Sequence, residues 1–211
     1  MTRICIVDYG VGNMYSIMKA MRLFSQDVVM SEDPAVLRTA SALVLPGQGA
    51  FQAGMEGLEK RDLLPEVLRA AKGGKPILGI CLGAQLLLEK GWEFGEWPGL
   101  GIIPGEVVHF PALQEKVKIP HMGWNAIDLP DKGQWDGTAF VGITPGTEMY
   151  FIHSYILRPQ MRAHVLAETT YGGVRFSSAI RSGNILGCQF HPEKSGKEGL
   201  RIVEGFVRSI G

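Results

Sequence analysis

Cysteine is scarce in this chain: Cys5, Cys81 and Cys188 are the three in 211 residues. None belongs to a CxxC pair, which argues against a disulfide framework or a thiolate zinc site and favours a reducing cytoplasm. An excess of charge is missing too, since 21 Lys and Arg balance 21 Asp and Glu. Nothing in that balance suggests the basic face of a nucleic-acid binder or an acidic tail, although a neutral total can hide a local patch. No apolar run approaches the roughly 20 residues of a membrane span. The opening "MTRICIVDYG" lacks the apolar core and cleavage site of a secretory signal. Linkers, internal repeats and low-complexity stretches are also wanting, so residues 1–211 are expected to form a single domain. His109, His121, His153 and His164 share no ligand-like spacing. No metal or other cofactor, no nucleic acid and no membrane partner is expected.

What is present is an apolar content of 45%, enough for a substantial core. "RICIVDYG", "ALVLPGQG" and "PILGI" read as strands, each ending in a glycine-bearing turn. Their apolar runs are continuous rather than alternating, as in parallel strands covered on both faces. Helix-like segments follow: Asn13–Phe24, Gly54–Leu58 with Leu63–Lys72, and Ala84–Lys90. The alternation predicts an α/β fold with a mainly parallel sheet and helices on both faces. Residues 99–181 change character, with "GEVVHF", "EKVKIP", "EMYFIHSYI", "AHVLAETTY" and "RFSSAIRSG" reading as antiparallel strands added to the sheet. "NILGCQF" resumes the apolar pattern, and Glu198–Ile210 reads as a closing amphipathic helix. Cys5 and Cys188 lie inside apolar runs and read as small buried hydrophobes.

Open α/β sheets bind ligands at the carboxyl ends of their strands. Four loops should gather there. In Gly79-Ile80-Cys81-Leu82-Gly83 a cysteine takes the central place of a nucleophile elbow. Small neighbours suit a strained corner, and a helix start behind Cys81 favours its thiolate. The Leu82 amide is then placed to bind an oxyanion. "QFHPEKS" delivers His191 at a strand end with Glu193 two residues on, where a carboxylate can fix the imidazole tautomer. In "LPGQGAF", Gly47 and Gly49 flank Gln48 and free its surroundings to turn amides toward a bound oxygen. "DYGVGNMYS" begins a dinucleotide-binding pattern, with Glu32 at a plausible ribose distance, but Tyr15 replaces the third glycine. A turn or partner-contact loop fits it better. Trp124, in "PHMGWN", is the tryptophan expected at an interface, where aromatics are enriched.

"GICLGAQLL", "PGQGAF" and "GCQFHPEKSG" resemble the class I, triad-type glutamine amidotransferases. "DYGVGN", "IPHMGWN" and "YFIHSY" narrow the resemblance to the glutaminase subunits of imidazole glycerol phosphate synthases. The motifs follow the family's order and span nearly the whole chain. The resemblance implies a flavodoxin-like sheet and a catalytic triad of Cys81, His191 and Glu193. It implies oxyanion donors at the amides of Gln48 and Leu82, and substrate contacts from Gln85, Ser154 and Tyr155. It further implies a heterodimer with a (β/α)8-barrel cyclase that receives the ammonia, with Asn13, Trp124 and Lys194 near the interface. The products would be imidazole glycerol phosphate and an aminoimidazole carboxamide ribotide, in histidine biosynthesis. Gln48 departs from the valine usual in the family, and Ala84 from a frequent methionine. The first departure opens an alternative: a paralogous glutaminase supplying a synthase that modifies a surface-sugar precursor.

Overall fold

The computed structural model describes residues 2–12, 14–130 and 135–211. In chain order it runs β1 (Ile4–Val7), α1 (Met14–Arg22), β2 (Val28–Ser31), α2 (Pro34–Thr39), β3 (Ala42–Leu45), α3 (Phe51–Lys60), α4 (Leu64–Lys72), β4 (Ile77–Ile80) and α5 (Leu82–Leu86). There follow β5 (Leu88–Gly91), β6 (Trp97–Pro98), β7 (Ile103–His109), β8 (His121–Ile127), β9 (Thr147–His153), β10 (Tyr155–Pro159), β11 (Val165–Tyr171), β12 (Val174–Ser182), β13 (Ile185–Cys188) and α6 (Gly196–Arg208).

Strands β2, β1, β3, β4 and β13 lie side by side and parallel. This is the flavodoxin-like order, with the last of these strands supplied from the far end of the chain. Beyond β13 the sheet turns antiparallel through β12, β10 and β7, and β11 pairs with β12. Strands β1, β3, β4 and β13 are buried along their whole length, so alternate side chains enter two different cores. Ile4, Ile6, Val44 and Ile80 meet Ile17 and Met21 of α1 and Ile202 and Phe206 of α6. Cys5, Val7, Leu43 and Leu45 meet Leu37 of α2, Leu58 of α3 and Val67 of α4. Each such fully buried aliphatic side chain contributes about 1.5–3 kcal/mol relative to exposure. That two-sided burial is why these runs carry no polar alternation. Cys5 and Cys188 are 0% exposed, and burial pushes the Cys5 thiol up to about 11 and the Cys188 thiol higher still.

Several expectations need correcting. The helix expected over Ala84–Lys90 instead covers Leu82–Leu86, and Leu88–Gly91 pairs as a strand with β6 and β7. The strands of the second half do not all join the sheet, because β8 and β9 form a separate two-stranded ribbon. "EKVKIP" forms no strand. Strand β2 and helix α2 were not legible in the apolar pattern. Helix α2 starts on a local device, with the Asp33 carboxylate accepting the Ala35 amide at 2.8 Å and Pro34 in the first turn.

Candidate active site

The loops after β3, β4 and β13 converge at the carboxyl end of the parallel sheet. Cys81 sits where β4 ends and α5 begins, with φ +51°, a conformation that side chains rarely adopt. The Cys81 amide donates to the Cys188 carbonyl at 2.7 Å, which ties the corner to β13. Two glycines permit the packing around it. A Cβ on Gly83 would lie 1.9 Å from the Leu45 carbonyl oxygen, and one on Gly47 would lie 2.4 Å from Leu82 Cβ. The β3 loop is therefore pressed against the first turn of α5. Tyr9, fully buried, donates its hydroxyl to the Pro46 carbonyl and so braces the same loop from behind.

His191 follows β13 and is 2% exposed. Its Nδ1 lies 2.8 Å from Glu193 Oε1, both side chains being almost wholly out of water. Its backbone is fixed as well: His191 N–H donates to the Tyr150 carbonyl at 2.9 Å, and Ser195 Oγ donates to the His191 carbonyl at 2.6 Å. Ser195 Oγ also accepts the Tyr150 amide at 2.9 Å, which stitches this turn to β9. Burial by itself would push the His191 pKa down. The Cys81 sulfur and the Glu193 carboxylate outweigh it and raise the imidazole to about 9. Among the described residues His191 Nε2 is buried without a hydrogen-bond partner, which leaves it available to carry a proton to or from a reacting group.

A cavity of about 360 Å³ opens at Cys81. Gln48, Gly49, Leu82, Gln85, Ser154 and Tyr155 line it, together with Glu93, Ile152 and His153. Gly47 borders instead a recess of about 10 Å³ on the other side, shared with Gln48, His191 and Glu193. Larger hollows elsewhere, such as one of about 650 Å³ beside Arg162 and Arg181, contain none of these residues. Among the described residues, the Gln48 and Leu82 amides make no hydrogen bond. Gln85 Nε2 donates at 3.2 Å to both the Tyr155 carbonyl and Gln189 Oε1. Gln189 Nε2 in turn stands 3.8 Å from Cys81 Sγ. Gln85 Oε1 remains an unbonded acceptor among the described residues.

Of the residues expected at an interface, Trp124 is 53% exposed on β8 and meets the Tyr150 ring edge-on at 6.1 Å. Lys194 lies in the turn directly after His191. Asn13 falls outside the described residues. Glu32, considered above as a ribose partner, pairs with Arg61 at 3.2 Å.

Three residues at the site escaped the sequence reading. Glu93 reaches in from the β5–β6 loop, where one carboxylate oxygen caps α3 by accepting the Phe51 amide at 2.7 Å. Gln189 is 0% exposed and links Gln85 to the cysteine. Ser195 holds the histidine turn. The last two lay inside motifs already singled out, whereas nothing local marked Glu93. Among the described residues, no group of three His, Cys, Asp or Glu could hold a metal ion, and no helix is long and apolar enough to cross a membrane.

Known proteins resemble this chain in sequence and in shape. The family model described as "Glutamine amidotransferase class-I" matches residues 5–210. "Imidazole glycerol phosphate synthase subunit HisH 1" of Legionella pneumophila (strain Lens) is 42% identical over 99% of this chain and 100% of that protein. "Imidazole glycerol phosphate synthase subunit HisH" of Rhodopirellula baltica is 43% identical over 97% of this chain and 96% of its own. A crystal structure of a glutamine amidotransferase superposes with a TM-score of 0.75 at 19% identity, covering 99% of this chain and 98% of the other. A structure of PurLQS from Thermotoga maritima superposes with a TM-score of 0.71 at 18% identity, covering 99% of each chain. The two structures speak for the fold, and the closer sequences speak for more. The chain belongs to the class-I glutamine amidotransferase family and, within it, to the HisH subunits of imidazole glycerol phosphate synthase.

Proposed function

We propose that this chain hydrolyses glutamine to glutamate and ammonia at Cys81 and passes the ammonia to a (β/α)8-barrel cyclase. The reading is carried by one observation: a cysteine on a left-handed strand–helix corner, beside a buried histidine–carboxylate pair, at the floor of a cavity. An amide is a poor electrophile, so splitting its hydrolysis through a covalent intermediate lowers each barrier. The Cys81 thiolate attacks the carbonyl carbon of the γ-carboxamide. The tetrahedral oxyanion takes hydrogen bonds from the amides of Leu82 and Gln48. His191, as imidazolium, gives its Nε2 proton to the departing nitrogen, and ammonia leaves a γ-glutamyl thioester. The now neutral His191 takes a proton from water, which attacks the thioester and releases glutamate and the thiolate. Glu193 holds the Nδ1–H tautomer and supports each imidazolium stage.

Substrate binding follows from what lines the cavity. Glu93 borders it with a carboxylate oxygen not used in capping α3, suited to the α-ammonium of glutamine. Gln85 offers its free Oε1, and Ser154 and Tyr155 line the same cavity. Trp124, Lys194 and Asn13 are assigned to the docking face for the cyclase. There ammonia is consumed to form imidazole glycerol phosphate and an aminoimidazole carboxamide ribotide, in the cytoplasm. The chain acts as one domain, as the continuous match over residues 5–210 supports. The relatives favour this synthase over one modifying a surface-sugar precursor.

The test is glutamate release by the chain mixed with the histidine-pathway cyclase from the same source, with and without its ribotide. Strong stimulation by partner and ribotide is expected, with Cys81→Ala reducing release to background. Stimulation only by a sugar-modifying synthase, or full activity in Cys81→Ala, would overturn the assignment.

A further inference from the structure

His121 and His153 face each other across the ribbon, 2% and 6% exposed, and the mechanism above uses neither. His121 is stacked between Phe151 and Tyr171 at centroid distances of 4.7 and 4.0 Å, with Phe110 and Phe176 closing the box. Their hydrogen bonds can be assigned a direction from groups of fixed polarity. His153 Nδ1 lies 2.9 Å from the Tyr155 carbonyl oxygen, which can only accept, so Nδ1 carries the proton. In the neutral ring, Nε2 is then an acceptor. His121 Nδ1, 3.1 Å from it, must donate, which leaves His121 Nε2 as an acceptor in its turn. Asn125 Nδ2 lies 3.3 Å from that nitrogen and donates. The Asn125 amide cannot be flipped, because Nδ2 also donates to the Thr170 carbonyl at 2.9 Å and Oδ1 accepts the Ala126 amide at 2.9 Å.

We infer that Asn125, His121 and His153 form a one-way hydrogen-bond relay that locks His153 as the neutral Nδ1–H tautomer and so positions the Tyr155 carbonyl for Gln85. The same polarity continues toward the nucleophile. With Tyr155 O fixed, Gln85 spends both amide hydrogens, on Tyr155 and on Gln189, and Gln189 can only donate toward Cys81 Sγ. A proton added to His153 would set its Nε2–H against the Nδ1–H of His121. Switching His121 to the other tautomer would then set an N–H against the Asn125 amide. Burial acts in the same direction, holding His121 down at about 4 and His153 at about 3. Beyond burial, the charged or titratable groups that act on His153 are His121 and His191, and both disfavour its protonation. Although His153 lines the glutamine cavity, it takes no part in proton transfer and leaves His191 as the acid–base group. The effect on glutamine affinity rests on the function proposed above. The tautomers do not.

Long-range proton–nitrogen NMR of the 15N-labelled full chain reads each imidazole directly. His121 and His153 should appear as neutral Nδ1–H rings that do not titrate between about pH 5.5 and 8.5. Either ring found as Nε2–H, or titrating in that range, would overturn the relay whether or not the chain is a glutaminase. Asn125→Asp reverses the terminal donor into an acceptor. It should convert His121 to Nε2–H, raise the KM for glutamine about tenfold in the cyclase complex with less change in kcat, and add an ionisation to the pH profile of kcat/KM. Asn125→Ala removes the donor without supplying an acceptor, so it should keep both Nδ1–H tautomers and raise KM at least fivefold less than Asn125→Asp. Equal KM and equal nitrogen shifts in the two variants would show that polarity plays no part.

Discussion

Glu193 Oε1 and His191 Nδ1 stand 2.8 Å apart, their side chains 4% and 2% exposed. A folded-state imidazole raised from 6.5 to about 9 binds its proton more tightly than the unfolded chain does. Its contribution to stability is fully present below about pH 6.5 and is lost as pH rises through about 9, on the order of 1–3 kcal/mol. Denaturant unfolding at about pH 6 and about pH 9.5 should show this loss. Glu193→Gln should flatten the slope, and an unaltered slope in that variant would remove the pair as its source.

Ser195 bridges the His191 carbonyl and the Tyr150 amide. Ser195→Ala strands a partly buried amide, at a cost of about 1–3 kcal/mol. The turn carrying His191 should loosen, so kcat should fall several-fold while KM for glutamine stays put. A KM effect without a kcat effect would place Ser195 in substrate binding instead.

Glu93→Gln retains an oxygen that can cap α3 and removes the charge offered to the cavity. KM for glutamine should rise about tenfold or more, as expected for losing a charge-assisted hydrogen bond of about 1.5–3 kcal/mol. Thermal stability should hardly move. Unchanged KM would put the α-ammonium elsewhere.

Gly83→Ala drives a methyl into the Leu45 carbonyl at 1.9 Å. Backbone cannot yield there without shifting β3 or α5, so a destabilisation of about 3 kcal/mol or more is expected. Folding at wild-type stability would mean the corner is far looser than its geometry indicates.

The parallel half of the fold was legible because Ile4–Val7, Ala42–Leu45 and Ile77–Ile80 are buried on both faces, and continuous apolar runs follow directly from that. The elbow at Cys81 was legible because its neighbouring glycines are sterically required. What stayed hidden depended on tertiary pairing. "VVMS" is too exposed to announce β2. "LLLEKG" continues the helical apolar pattern, yet Leu88 and Gly91 are claimed by the edge of the sheet. Glu93 gives no local sign of its role, because the α3 amide it caps lies some 40 positions away in the chain.

Strand β9 has a consequence for evolution as well as for chemistry. Its Tyr150 carbonyl receives the His191 amide, and its Ile152 carbonyl faces Cys81 Sγ at 3.7 Å. Nucleophile and base arrive from two different sheet strands, yet both are gauged against alternate residues of a third strand outside that sheet. One pleat repeat, about 6.6–6.8 Å, thus serves as the common ruler for the reacting pair. Drift in the sheet can be absorbed if the ribbon moves with it, but a one-residue slip of β9 would decalibrate both groups at once.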